Sequence, residues 1–185
     1  MEGAFGFPKN YPNFQSLSRG VEDYFSRGEE EEMKLLNYLK EEWIVPELNE
    51  TDKPAVLKEL SQVLTKPCKA TSSDELVKVL LEREKLGSTG IGEGIAIPHG
   101  RLKKLNQFLI SFGRSTRGVD FDSIDQKPCQ IFFMVMAPEN SAVENLNLLG
   151  RIVRLLKDSS FKKKLMGAKT RKEIFEIISE EDEKY

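Results

Sequence analysis

This chain is short of histidine, of cysteine and of any surplus of either charge. It has one histidine and two cysteines in 185 residues. Cys68 and Cys129 stand far apart without metal-ligand spacing, so a structural zinc site is excluded. Both read as free thiols in a reducing cytosol. Lysine and arginine total 28 against 30 aspartates and glutamates, a net charge of −2. Nothing there points to nucleic acid or to an anionic lipid surface. The Lys162-Lys163-Lys164 run is short and opens a helical segment, which makes it a solvated face. No apolar run approaches the length of a membrane span. Beyond Phe5-Gly6-Phe7 the N-terminus is mixed and polar, unlike a signal peptide. The expectation is a cytoplasmic protein with no metal, no cofactor, no nucleic-acid partner and no direct membrane insertion.

What is present suits a globular protein, with 39% apolar and 31% charged residues. The length allows one domain with a full core and a small appendage. Residues 1–42 read as an N-terminal extension, loop-like to about residue 28. An acidic block, Glu29 to Glu32, follows, and then a helix from about Met33, with Leu36, Leu39 and Trp43 at helical spacing. Two origins stay open for residues 1–32: a native extension, or translation from an upstream start that is not native. The compact domain is placed at 43–181 and a polar tail at 182–185.

Within the domain, Thr51 can cap a helix with Pro54 in its first turn. Ser72 with Glu75 forms a capping box, and Gly87 can end the helix behind it. Phe108 to Phe112 reads as a strand. Gln130 to Ala137 is an apolar run closed by Pro138, the mark of a buried central strand. Ser141 with Glu144, and Thr170 with Glu173, make further capping boxes before helical stripes. Helices and strands interleave, so the fold class is α/β.

The glycine-rich stretch invites a nucleotide reading, and that reading fails. After Gly90-x-Gly92, Ile95 occupies the place of the third glycine of the dinucleotide fingerprint. Gly87 and Gly92 have P-loop separation, but Glu93 stands where the lysine must be and would repel phosphate. A Ser-His-Asp hydrolase lacks its Gly-x-Ser-x-Gly elbow. A hydrolase with His99 as base lacks a partner nucleophile. What remains is His99 itself, approached through glycines at 87, 90, 92 and 94 and followed by Gly100. Pro98 restricts how the imidazole is presented, Gly100 permits a sharp turn or a close approach, and a neutral imidazole is a competent nucleophile toward phosphorus. Gly90 and its neighbours, with Ser88 and Thr89, can offer backbone and hydroxyl donors to an anion. From these residues alone two readings stand: a nucleophile, or a histidine in the turn after a strand.

Arg83 follows Leu80 by three residues and Val79 by four, on the apolar stripe of its helix. A charge there either snorkels to solvent or meets an anion, for which guanidinium is well shaped.

The run from Arg83 through Gly87-Ser88-Thr89-Gly90-Ile91-Gly92 to Ile97-Pro98-His99-Gly100-Arg101 resembles the phosphohistidine signature of the fructose/mannitol-type enzyme IIA domain. That domain belongs to the bacterial phosphoenolpyruvate-dependent phosphotransferase system, and the Ser-Thr-Gly-Ile-Gly wording is closest to its nitrogen-regulatory branch. Two weaker blocks agree: Gly118 to Asp125 with Lys127-Pro128, and Phe132 to Pro138. The resemblance implies a mixed β-sheet sandwiched between helices. It implies a phosphotransferase whose His99 accepts a phosphoryl group from an HPr-type phosphocarrier. The group then passes to an enzyme IIB-type carrier or serves as a regulatory signal toward a target protein. A sugar-transport role and a binding module switched by phosphorylation without onward transfer are the alternatives. Arg83 matches the family's active-site arginine. Ser88 and Thr89 lie on its phosphate-binding loop, with Gly90 and Gly100 beside them. Many members carry a second histidine after the central strand; here that stretch reads Asn145-Leu146-Asn147. Asn145 can orient a phosphoryl group through its amide but cannot become a cation.

Overall fold

The computed structural model describes residues 33–65 and 71–184. A 3-10 turn (Leu35–Asn37) leads into β1 (Leu39–Val45), α1 (Lys53–Thr65) and α2 (Ser73–Glu84). Three short strands follow, β2 (Gly90–Gly92), β3 (Ile95–Ala96) and β4 (His99–Leu102), then the long strands β5 (Leu109–Val119) and β6 (Cys129–Pro138). The chain ends in α3 (Ala142–Leu156), α4 (Ser159–Gly167) and α5 (Arg171–Asp182). The sheet runs β1-β5-β6-β3-β2, with β4 also paired to β6. It is mixed: β6 is antiparallel to β5 and parallel to both β3 and β4.

β6 is apolar along most of its length because both of its faces are covered. Ile131, Phe133 and Val135 point into one core layer with Leu148, Ile152, Phe161, Ile174 and Ile178 of α3, α4 and α5. Phe132, Met134 and Met136 point into the other, with Val56, Leu57, Leu60, Leu76 and Leu80 of α1 and α2. This period-2 division is the pleat of a central strand. Edge-on aromatic pairs lock each layer, Phe112 on Phe133 at 5.0 Å and Phe121 on Phe132 at 5.4 Å. The expected α/β sandwich, a mixed sheet between helices, is the observed fold. Cys129 is a free thiol at the start of β6, and burial pushes its pKa up to about 11.

The expected helix from Met33 is not formed. After the 3-10 turn, Leu39–Val45 is an edge strand parallel to β5, with Leu39 opposite Ile110 and Ile44 opposite Phe112. A bulge between them turns Lys40, Glu41 and Glu42 outward, so the spacing of Leu39 and Trp43 imitates a helix. Trp43 and Ile44 are buried in opposite layers, which only a strand allows. This strand runs across the boundary expected at residue 43 and begins four residues ahead of it. The extension at 1–32, Cys68 and Tyr185 lie outside the described residues.

Caps divide in the same way. Ser72 and Thr170 accept the amides of Glu75 and Glu173, as their boxes require. Thr51 does not cap α1; Asp52 does, through Oδ1 to the Ala55 amide at 3.0 Å. Ser141 makes no cap bond, because its hydroxyl donates to the Pro138 carbonyl at 2.7 Å.

The polar tail expected from residue 182 begins with a buried group. Asp182 is fully enclosed and accepts from Arg151 Nε at 2.5 Å and from the Leu36 amide at 3.2 Å. It ties α5 to α3 and to the 3-10 turn. Removing one partner of a buried pair strands the other charge. Asp182→Ala is therefore expected to lower the unfolding free energy by about 3–5 kcal/mol. Urea denaturation measures this, and a loss below about 1 kcal/mol would contradict the account.

Candidate functional site

The site is assembled where the last turn of α2 meets the first residue of β4. Leu76 and Leu80 bury one stripe of α2 against the sheet. Arg83, three residues on from Leu80, extends that stripe toward the strand ends. β4 can lie this close because residue 100 has no side chain. A Cβ on Gly100 would stand 2.7 Å from Val79 Cγ1 of α2. On its other side β4 is fixed by its register with β6, His99 opposite Val135, and by the Val135 amide donating to the Pro98 carbonyl at 2.8 Å.

Arg83 and His99 are in direct contact. Arg83 Nε donates to His99 Nε2 at 3.1 Å, and Arg83 Nη1 donates to the Gly87 carbonyl at 3.0 Å. The other ring nitrogen, Nδ1, lies 2.8 Å from the Ile97 carbonyl. A carbonyl only accepts and a guanidinium N–H only donates, so the partners assign the tautomer. Nδ1 carries the proton and Nε2 presents a lone pair. Part of the residue's surface stays open to solvent, yet the ring is largely desolvated. Burial pushes its pKa down to about 4; the Arg83 and Arg101 charges act in the same direction, and the Ile97 carbonyl opposes them. The imidazole is neutral near pH 7.

The glycine-rich stretch is a hairpin, not a phosphate cradle around a helix. β2 and β3 are antiparallel, and Glu93 and Gly94 turn the chain with φ of 54° and 75°. Glu93, which spoiled the P-loop, is that turn residue, and it pairs with Lys162 at 2.7 Å. The block around Gly118 to Asp125 braces the hairpin. The Ile124 amide donates to the Gly90 carbonyl at 3.0 Å, Ser123 Oγ accepts from the Gly92 amide at 3.1 Å, and Asp125 Oδ2 accepts from the Glu93 amide at 3.0 Å. Gly90 is required by contact: a Cβ there would lie 2.9 Å from Ser123 Cα.

The donors expected to face an anion are engaged within the fold. Ser88 Oγ donates to the Phe121 carbonyl at 3.0 Å and accepts from the Gly90 amide at 3.1 Å. The Thr89 amide and hydroxyl both donate to Glu84. Asn145 lies in the first turn of α3, where its amide closes on the Ser141 carbonyl. Its Oδ1 is buried without a hydrogen-bond partner, and no hydrogen bond joins it to His99. The structure therefore brings Arg83 and His99 together and uses Ser88, Thr89, Gly90 and Gly100 to shape the surrounding backbone.

Sequence reasoning missed Glu84, Lys53 and Asp122. The Glu84 side chain is 6% exposed and accepts from Lys53 Nζ at 2.9 Å and from the Thr89 amide at 3.1 Å. Lys53 also pairs with Asp122 at 3.0 Å and lies 4.8 Å from the centre of the Phe121 ring. Burial works against the Lys53 ammonium, but its bonds and charge attraction to Glu84 and Asp122 prevail and hold its pKa above the usual value. One signal was available. A lysine opening a helix and a glutamate closing one both oppose the helix dipole, which calls for a compensating partner. Among the described residues no group of histidine, cysteine, aspartate and glutamate could hold a metal ion, and no helix is long and apolar enough to cross a membrane.

Comparison with known proteins shows the family. The model of the family "Phosphoenolpyruvate-dependent sugar phosphotransferase system, EIIA 2" matches residues 37–181. A nitrogen regulatory protein of Bradyrhizobium diazoefficiens is 37% identical over 149 residues, covering 80% of this chain and 95% of the relative. The fructose-specific EIIABC component of Bacillus subtilis is 35% identical over 150 residues, covering 81% of this chain and 24% of that protein. The crystal structure of nitrogen regulatory protein IIA-Ntr from Neisseria meningitidis superposes with a TM-score of 0.72 at 32% identity, covering 77% of this chain and 97% of that one. By these matches and by its fold, the chain belongs to the EIIA type 2 family of the phosphoenolpyruvate-dependent phosphotransferase system.

Proposed function

We propose that this chain is a cytoplasmic phosphoryl carrier of the nitrogen-regulatory type, charged on Nε2 of His99 by an HPr-type phosphocarrier. The observation that carries the reading is the state of the ring. Nδ1 is occupied by the Ile97 carbonyl, and Nε2 is a neutral lone pair beside a fixed guanidinium. In the transfer, that lone pair attacks the phosphorus of the donor's phosphohistidine. The new N–P bond forms as the donor's N–P bond breaks, and the donor imidazole leaves with its electron pair. Arg83 Nε–H, no longer needed by Nε2, turns to a phosphoryl oxygen, and the charges of Arg83 and Arg101 offset those of the phosphoryl group. No metal or nucleotide enters the step.

In this reading Ser88, Thr89 and Gly90 act by holding the hairpin, and Gly100 by letting β4 approach α2. Asn145 keeps a neutral amide where many relatives have a second histidine, so charge stabilisation of the phosphorylated state rests on arginine. Both donor and acceptor are proteins. Leu86, just ahead of the glycine-rich stretch in the chain, and Ile124, whose amide bonds the hairpin at Gly90, are 55% and 60% exposed and suit a small transient interface. The acceptor is an enzyme IIB-type carrier or a regulatory target. The naming of the Bradyrhizobium relative favours the second, in which the phosphoryl group changes partner choice and need not move on.

Incubation with labelled phosphoenolpyruvate, enzyme I and HPr is expected to label the native chain and leave His99→Ala unlabelled. An unlabelled native chain with a competent donor set would falsify the reading, and addition of IIB-type carriers separates relay from switch. Arg83→Ala is expected to slow labelling about 100-fold, the loss typical of removing one fixed donor from a developing charge. A stopped-flow or quench assay reads it, and a change under threefold would exclude the role given to Arg83. In an NMR titration the His99 ring is expected to stay neutral through pH 6.5 and to protonate near 4, because burial penalises the cation. A midpoint at the ordinary histidine value would show that the ring is not desolvated.

A further inference from the structure

Glu84 is the most enclosed charge beside His99, and the transfer step above makes no use of it. Its carboxylate accepts from Lys53 Nζ, from the Thr89 amide and from the Thr89 hydroxyl. Thr89 passes the constraint onward, since its carbonyl accepts from the Ile97 amide at 3.0 Å. The Ile97 carbonyl in turn accepts the proton of His99 Nδ1 at 2.8 Å. Arg83, adjacent to Glu84 in the chain, meets the opposite ring nitrogen. Consecutive residues of the last α2 turn therefore reach both nitrogens of one imidazole, Arg83 directly and Glu84 through Thr89 and Ile97.

A buried carboxylate persists only when it is compensated. Lys53 compensates it here, itself steadied by Asp122 and by the Phe121 ring. Such an arrangement gives the loop from Gly87 to Gly90 a stiff attachment to α2 at Thr89. We propose that Glu84 is the positioning residue for phosphoryl transfer, fixing His99 in its Nδ1–H tautomer and aiming Nε2 through the relay Glu84–Thr89–Ile97. The geometry stands by itself; the consequence for transfer rests on the carrier reading. If the relay is cut, the Ile97 carbonyl is free to turn away, the ring gains rotation about Cβ–Cγ, and the ring proton redistributes. A displacement of about 1 Å at a reacting atom is enough to cost about 100-fold in rate.

The test combines nitrogen NMR of the chain labelled with 15N-histidine, near pH 7, with the labelling assay. The native chain is expected to show one protonated and one lone-pair ring nitrogen. Glu84→Ala is expected to give averaged ring nitrogens and at least about tenfold slower labelling. Glu84→Gln retains an oxygen for the Thr89 donors and is expected to recover most of both signals. Thr170→Ala, which removes a helix cap remote from the site, serves as the control for general loss of stability. A folded Glu84→Ala chain with native ring nitrogens would overturn the proposal, as would a rate no lower than that of Thr170→Ala. Should Glu84→Ala not fold, Thr89→Val weakens the relay at its next link, removing the hydroxyl bond to Glu84 while keeping the amide bond and the Lys53 ion pair, and the same two outcomes decide. The ring spectra need no donor protein. A native chain that takes no label therefore defeats the carrier reading, while the spectra still decide on Glu84.

Discussion

The contact between Arg83 Nε and His99 Nε2 is the constraint around which the rest of the structure is arranged. It joins a helix end to a strand start, and each must be brought there by packing. α2 is seated by Leu76 and Leu80 in one core layer. β4 is seated by its parallel register with β6, the strand with the most neighbours in the sheet. At Gly100 there is no Cβ to press on Val79 of α2, 2.7 Å from where it would stand. The central apolar strand thereby serves chemistry at one remove. Its rigidity sets where His99 stands, and close packing transmits that position without slack.

Charge is handled with equal economy. Arg83 and Glu84 are neighbours of opposite sign at one helix end, and each is sent in a different direction. Arg83 faces the imidazole, and its charge adds to burial in keeping the ring neutral. Glu84 turns inward to Thr89 and is neutralised by Lys53. The guanidinium donates to His99 and to the Gly87 carbonyl. The geometry of the helix surface sends the two charges to different partners.

Much of this was legible in the sequence. The buried strand at 130–137, the helix with Arg83 on its apolar stripe and the singular setting of His99 could all be read. Each rests on local periodicity or on residue chemistry. The errors have physical causes of the same scale. Leu39 and Trp43 share a helical spacing because a bulge takes up the residues between them, and no local pattern announces a bulge. Thr51 and Asp52 are both competent caps, and only the path of the chain into α1 selects Asp52. Ser88 and Thr89 carry the right groups for an anion, yet Phe121 and Glu84 had already claimed them. Asp182 sat in a run of charges that looked like a tail, and its partner Arg151 is 31 residues away.

The sequence by itself determined the class of fold and singled out His99. Alternation, capping residues and a solitary histidine among glycines are properties of neighbours along the chain. Tertiary structure alone decided which nitrogen of His99 carries the proton, why the ring is neutral and what holds it. Those answers depend on Ile97, Arg83, Thr89, Glu84 and Lys53 converging from separate elements. A tautomer and a pKa belong to an environment, and only folding creates that environment.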